Sequence, residues 1–189
     1  MKTMKQSHRA AVIALLNREM LHNGSWCGET HIQKAMFLLQ DLLGVDTGFD
    51  FILYRHGPFS FELRDELAAM QADGLLELVL RQPGYGPTYV PTQFSEEYLE
   101  RFPKTTLRYS PQIEFVANEL KQKGVAELER LATAYFIADR EGIRDAEIRA
   151  ERLVELKPHI SLQDATLASE QVSRLIKRAV PVRIAEEAG

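Results

Sequence analysis

The side chains most able to do chemistry in this chain are five histidines, a single cysteine and a few adjacent carboxylates. His8, His22, His31, His56 and His159 show no spacing expected of a metal site, and Cys27 has no second thiol to pair with. Beside Trp26, Cys27 reads as a small apolar filler rather than a nucleophile. Asp65-Glu66 and Glu96-Glu97 could be imagined as acid/base pairs. Neighbouring residues on a helix point about 100° apart, so a solvated face explains them better. No P-loop, dinucleotide fingerprint or nucleophile elbow occurs. The sequence therefore assigns no catalytic residue, no metal ligand and no cofactor. What remains is Arg55-His56-Gly57-Pro58, a cationic and a titratable side chain at a Gly-Pro break. One reading is a structural turn joining a strand to a helix. The other is a contact surface, with Arg55 and His56 beside a helix start where an acidic partner could be met.

The elements that must position this break come from periodicity and punctuation. Ser7 caps a helix over about 8–22, with Leu15, Leu16 and Met20 on its inner face and Gly24 as a left-handed stop. Thr30 with Gln33 reads as a capping box for a very apolar second helix. Lys34, Gln40 and Asp41 fall on its narrow exposed strip, and Gly44 ends it. Phe49, Phe51 and Leu53 alternate as a short strand. Gly57 permits the turn, and its place before Pro58 biases it towards extended geometry. Ser60 caps a third helix over 61–73. Residues 75–80 and 88–90 flank a Gly/Pro loop as a β-hairpin with a long tip.

A short helix from Phe94 to Phe102, capped by Ser95, ends at Pro103, and 103–110 is a connector. Helices follow over about 111–123, 125–139, 143–154 and, after Lys157-Pro158-His159 and a Ser161 cap, 162–179; Pro181 and the final AEEAG read as a loose tail. The predicted fold is mainly α with a small β-hairpin. Residues 1–92 form a winged-helix-like domain, and 93–189 a helical C-terminal extension packed on it.

Composition sets the class. The chain is 45% hydrophobic and 26% charged, as in an ordinary globular protein. Residues 1–92 carry 8 Lys/Arg against 10 Asp/Glu and the remainder 15 against 17, so each half is −2. Neither half offers the basic surface of a large nucleic-acid interface. One cysteine suits a reducing cytoplasm, and no apolar run approaches the ~20 residues that span a bilayer.

HIQKAMFLLQ, the aromatic segment into YRHGPFS, and LRDELAAMQADGLLE together resemble the Panacea family, the SocA-like antitoxin group with its YwgA-type relatives. Ile32-Gln33-Lys34 stands for that family's "LQK" helix and His56-Gly57-Pro58-Phe59-Ser60 for its "YGP" segment. VAELERLATAYFI and KPHISLQDA resemble the YwgA-type branch. The chain departs from the commonest pattern in carrying His56 where Tyr precedes Gly-Pro, and in its long helical additions. The resemblance implies a non-enzymatic antitoxin or proteolytic-adaptor-like module that binds a partner protein, such as a toxin or a protease substrate. A homodimer is a further expected partner. The partner-binding positions are then Gln33, Lys34, Arg55, His56, Gly57, Pro58, Ser60 and Arg64. The alternative is a winged-helix transcriptional regulator. Its third helix would present Glu62, Asp65, Glu66 and Asp73 against the single Arg64, a poor match for phosphates. The basic Arg174, Lys177 and Arg178 complement the C-terminal dipole of the last helix.

Overall fold

A computed structural model describes residues 4–184. The fold is mainly helical, with two small antiparallel two-stranded sheets. In chain order α1 is Gln6–His22; α2 is Glu29–Phe37 and continues as a π-helical turn, Leu38–Leu42; β1 is Ile52–Tyr54, β2 Gly57–Phe59 and α3 Phe61–Ala72. Then come β3 (Leu76–Val79), β4 (Thr88–Pro91), α4 (Gln93–Glu100), α5 (Pro103–Leu120), α6 (Val125–Arg140), α7 (Ala146–Leu156) and α8 (Leu162–Ala179). The expected loose tail is held where it is described: after Pro181 the chain docks back, the Val182 carbonyl accepting from the Gln112 amide at 2.7 Å and the Ile184 N–H donating to the Leu43 carbonyl at 2.9 Å. The last five residues lie outside the described residues, as do Met1, Lys2 and Thr3.

Helix α2 is the centre. Every residue from His31 to Phe37 is buried. Phe37 touches the rings of Phe51, Tyr135 and Phe136, joining the extended segment to α6. The same hydrophobic core takes Ile13 and Leu16 from α1, Leu63 and Leu67 from α3, Val116 from α5, and Leu153 and Val172 from α7 and α8. Helices α7 and α8 are tied by Arg149, a buried cation whose guanidinium donates to the Ser169 carbonyl at 2.5 Å and the Ser173 hydroxyl at 2.7 Å.

Several local expectations change. Helix α1 begins two residues early, at Gln6 after Lys5, and Ser7 lies inside it. Helix α2 begins at Glu29 with Gly28 as N-cap and no capping side chain, so Thr30 and Gln33 form no capping box. Lys34 and Asp41 do not lie on an exposed strip, because α6 covers that side: Lys34 is 1% exposed, and Asp41 pairs with Arg140 at 2.8 Å. Ser95 does not cap α4, whose N-cap is Thr92; its buried hydroxyl donates to the Leu75 carbonyl. The predicted connector 103–110 is helical. Pro103 sits in the first turn of α5, where its missing N–H removes no intrahelical bond. Pro111 lies inside α5, and the carbonyl it leaves unbonded belongs to Leu107 on the solvent-exposed side. Ser60 and Ser161 cap α3 and α8 as expected, accepting from the N–H groups of Leu63 and Asp164.

The short strand acquires a partner that the sequence reading lacked. β1 pairs with β2 in the register Ile52↔Phe59, Leu53↔Pro58 and Tyr54↔Gly57, leaving Arg55 and His56 as a two-residue turn. Gly57 is not ordinary extended backbone: its φ is +85°, and a Cβ there would come 2.8 Å from the Thr133 hydroxyl. Gly57→Ala is expected to lower the unfolding free energy by about 2–4 kcal/mol, from left-handed strain plus the close approach of α6. Urea denaturation measures this, and a loss below about 0.5 kcal/mol would show that the turn is not seated on α6.

Candidate functional site

The aromatic residues around the Gly-Pro break acquire their arrangement from the hairpin register. Side chains two apart on a strand share a face, and paired residues sit side by side. Ile52 and Tyr54 therefore join Phe59 on one face, and Phe61 follows at the start of α3. Tyr54 contacts Phe59 at 5.6 Å between ring centroids and Phe61 at 5.5 Å, and Phe59 contacts Phe61 at 5.1 Å. The Arg64 guanidinium lies over the Phe61 ring at 5.1 Å and pairs with Asp65 at 3.2 Å. These groups are open to solvent: Ile52 is 43% exposed, Tyr54 42% and Phe61 40%. Rings in mutual edge-to-face and tilted contact, with an arginine over one of them, are the composition of a protein–protein contact rather than of isolated surface apolar residues.

Behind this face, buried polar side chains hold the backbone. The Gln33 amide donates to the Ser60 carbonyl and accepts from the Ser60 N–H, both at 2.9 Å. Seven residues on, Gln40 treats Phe49 the same way: its carbonyl accepts from the Phe49 N–H and its amide donates to the Phe49 carbonyl, again at 2.9 Å. Lys34 donates to the Pro58 carbonyl at 2.9 Å. Lys157 reaches from the end of α7 to the Tyr54 carbonyl at 2.7 Å and the Arg55 carbonyl at 2.5 Å. Glu129 on α6, 5% exposed, faces this group: Lys157 lies 3.6 Å from one carboxylate oxygen, with His159 3.3 Å away, and His56 lies 3.4 Å from the other. Two buried ammonium groups thus hold backbone carbonyls, with one carboxylate to balance them. This chemistry positions a loop.

The predicted site residues divide into two sets. Arg55, His56 and Arg64 are exposed and stand beside the aromatic face. Gln33, Lys34, Gly57, Pro58 and Ser60 are buried; Gln33 and Lys34 are not the surface residues the sequence suggested, and they brace the hairpin from inside. Tyr54, Phe59 and Phe61 were not among the expected positions. Their signal was readable: a two-residue turn at Arg55-His56 puts the aromatics of YRHGPFSF on one side. Glu129, Lys157 and His159 had no such signal, being far away in sequence. Cys27 is fully buried, and burial pushes its thiol up to about 12, which suits an inert filler. Among the described residues no group of three or more His, Cys, Asp and Glu side chains is placed to hold a metal ion, and no helix is long and apolar enough to cross a membrane.

Comparison with models of protein families and with curated proteins finds no match to this chain.

Burial lowers the Lys34 ammonium to about 8; Glu129 opposes the shift and the Lys157 charge adds to it. The unfolded chain keeps that lysine protonated to about 10.4, so between roughly pH 8 and 10 it binds more protons than the folded chain. Stability from this group therefore rises with pH across that window and is level below it. Relative to Lys34→Met, the wild-type protein should gain about 1 kcal/mol between roughly pH 7.5 and 9, read from urea denaturation at each pH. Parallel pH dependences of the two proteins would refute the buried-charge reading.

Proposed function

We propose that this protein is a non-enzymatic protein-interaction module that binds a partner protein through the face made by Ile52, Tyr54, Phe59, Phe61 and Arg64. The observation that carries the reading is the cluster of three aromatic rings in edge contact, two of them exposed and one under an arginine, on a hairpin whose backbone is fastened from behind by Gln33, Lys34 and Lys157. A rigid aromatic face loses little conformational entropy when it docks, which is how a few residues come to dominate an interface. Arg55 and His56 flank it and favour an acidic rim on the partner.

The resemblance to the Panacea and YwgA-type group supports an antitoxin or adaptor role, with a toxin or a protease substrate as the partner. A cytoplasmic setting agrees with the lone buried thiol. The order α1, α2, short hairpin, α3, β3–β4 supports a winged-helix-like arrangement for about residues 1–92. Duplex DNA is the weaker partner. The exposed side of α3 carries Glu62 and Asp65, Asp73 follows at its C-cap, and Arg64 is already engaged by Asp65 and Phe61. Those carboxylates oppose phosphate.

The experiment is a capture from lysate by the wild-type protein and by the Tyr54→Ser/Phe61→Ser double variant, side by side, with protein and nucleic acid both analysed. A stoichiometric protein retained by wild type is expected to bind the double variant at least about 30-fold more weakly, with melting temperatures within a few degrees. Equal retention by both proteins, or recovery of duplex DNA alone with steep salt dependence, would overturn the assignment.

A further inference from the structure

Helices α1 and α5 start side by side, and a cavity of about 320 Å³ lies between their first turns. Met4, Lys5, His8, Lys104, Arg108 and Tyr109 line it. The two helix starts are fastened to each other. His8 Nδ1 and the Thr105 hydroxyl share a hydrogen bond at 2.6 Å, and the His8 ring meets the Phe102 ring edge-on at 5.1 Å. The Tyr98 hydroxyl donates to the Ser7 carbonyl at 3.0 Å and ties α4 to the same corner. Thr105 is buried, so its bond to His8 is shielded from water and the cavity is preformed.

The charge on the cavity wall has one sign. Lys5, Lys104 and Arg108 line it, and no carboxylate does. Among the described residues none of the three cations has an ion-pair partner. Arg9, one turn further along α1, is by contrast taken by Glu66 at 2.5 Å. Arg108 lies over the Tyr109 ring at 5.4 Å, which steadies its planar guanidinium. The helices do not relieve the charge. The first turns of α1 and α5 contain no acidic residue, and no side chain caps either start. Two positive dipole ends therefore add to three cations. Thr105 and Thr106 both donate to the Phe102 carbonyl, so the Lys104 N–H has no backbone acceptor among the described residues. Like charges gathered on one cavity raise each other's energy, and an anion seated among them removes that cost.

We propose that this cavity binds the phosphate group of a small phosphomonoester. Such a group is close to a dianion at neutral pH and turns three oxygens in different directions. Arg108 takes two of them in its fork, and Lys5 and Lys104 act on the group as point charges. A carboxylate offers two oxygens in one plane and about half the charge. A nucleic-acid phosphodiester carries one charge and is tethered on two sides, so a narrow cavity suits it less. The volume admits the phosphate with a small organic part, which meets Tyr109 and Met4. The site uses no residue of the β1–β2 face and is independent of the reading built on that face.

The test is isothermal titration of the full chain with glycerol phosphate and with glutarate, at constant ionic strength. Glycerol phosphate is expected to saturate one site below about 5 mM, with glutarate at least about 10-fold weaker. The double variant Lys104→Gln/Arg108→Gln should bind glycerol phosphate at least about 10-fold more weakly. Both side chains are exposed, so its melting temperature should stay within a few degrees of wild type. Lys121→Gln/Lys177→Gln removes the same charge elsewhere and should change the affinity by less than about 2-fold. No saturation by glycerol phosphate below about 20 mM, equal affinity for glutarate, or equal weakening by the two double variants would each overturn the proposal. Tighter binding of a short single-stranded oligonucleotide, with steep salt dependence, would overturn it in favour of a phosphodiester surface.

Discussion

The fold depends on polar side chains of α2 meeting the backbone of the segment that follows it. Residues 49–60 contain only two short strands, and β1 and β2 pair with nothing but each other. An isolated hairpin of that length is not stable in water. Here its ends are closed by two glutamines, Gln40 on Phe49 and Gln33 on Ser60, each using both halves of its amide. Seven residues separate them, close to two helical turns, so both face the same way. α2 therefore acts as a third strand would, supplying donors and acceptors to backbone that has no ladder of its own. Ser60 adds the last link, since its backbone is held by Gln33 while its hydroxyl caps α3.

The charges beneath the turn follow from the same need. The carbonyls of Tyr54, Arg55 and Pro58 turn inward from the hairpin and need donors, and lysine reaches far enough to supply them. Two ammonium groups in the interior then need a carboxylate, and Glu129 provides it from α6. Gly57 lets α6 come this close, because any side chain there would meet Thr133. One turn thus ties together α2, α6 and the end of α7. Its outer surface is left as a stiff aromatic face, and stiffness is what a recognition surface gains from such support.

The region between the β3–β4 tip and the starts of α2 and α6 has a different character. There the starts of α2 and α6 carry no capping side chain, whereas behind the β1–β2 hairpin Gln33, Lys34 and Lys157 engage backbone groups. The connector between α1 and α2 serves this second place: Cys27 accepts from the Tyr89 N–H through its carbonyl, and Trp26 holds Gly86.

The amino-acid sequence alone determined the helical class, most element boundaries, the β3–β4 hairpin and the Ser60 and Ser161 caps. These follow from periodicity and from residues that act on neighbours within a few positions, and such signals are complete in a short window. The Gly-Pro break was legible as a turn, and Arg55, His56 and Arg64 as exposed positions. Tertiary structure decided what lies behind them. Gln33 and Lys34 looked like surface residues because a helix's own pattern cannot say which polar groups a distant carbonyl will claim. Glu129 and Lys157 came to the turn from parts of the chain about 70 and 100 residues away. Pro103 looked like a stop and became a start, since proline ends one helix and opens the next with equal ease. Local sequence sets which backbone shapes are available. The pairing of buried donors with buried acceptors, a long-range constraint, selects the one in which α2 carries the hairpin.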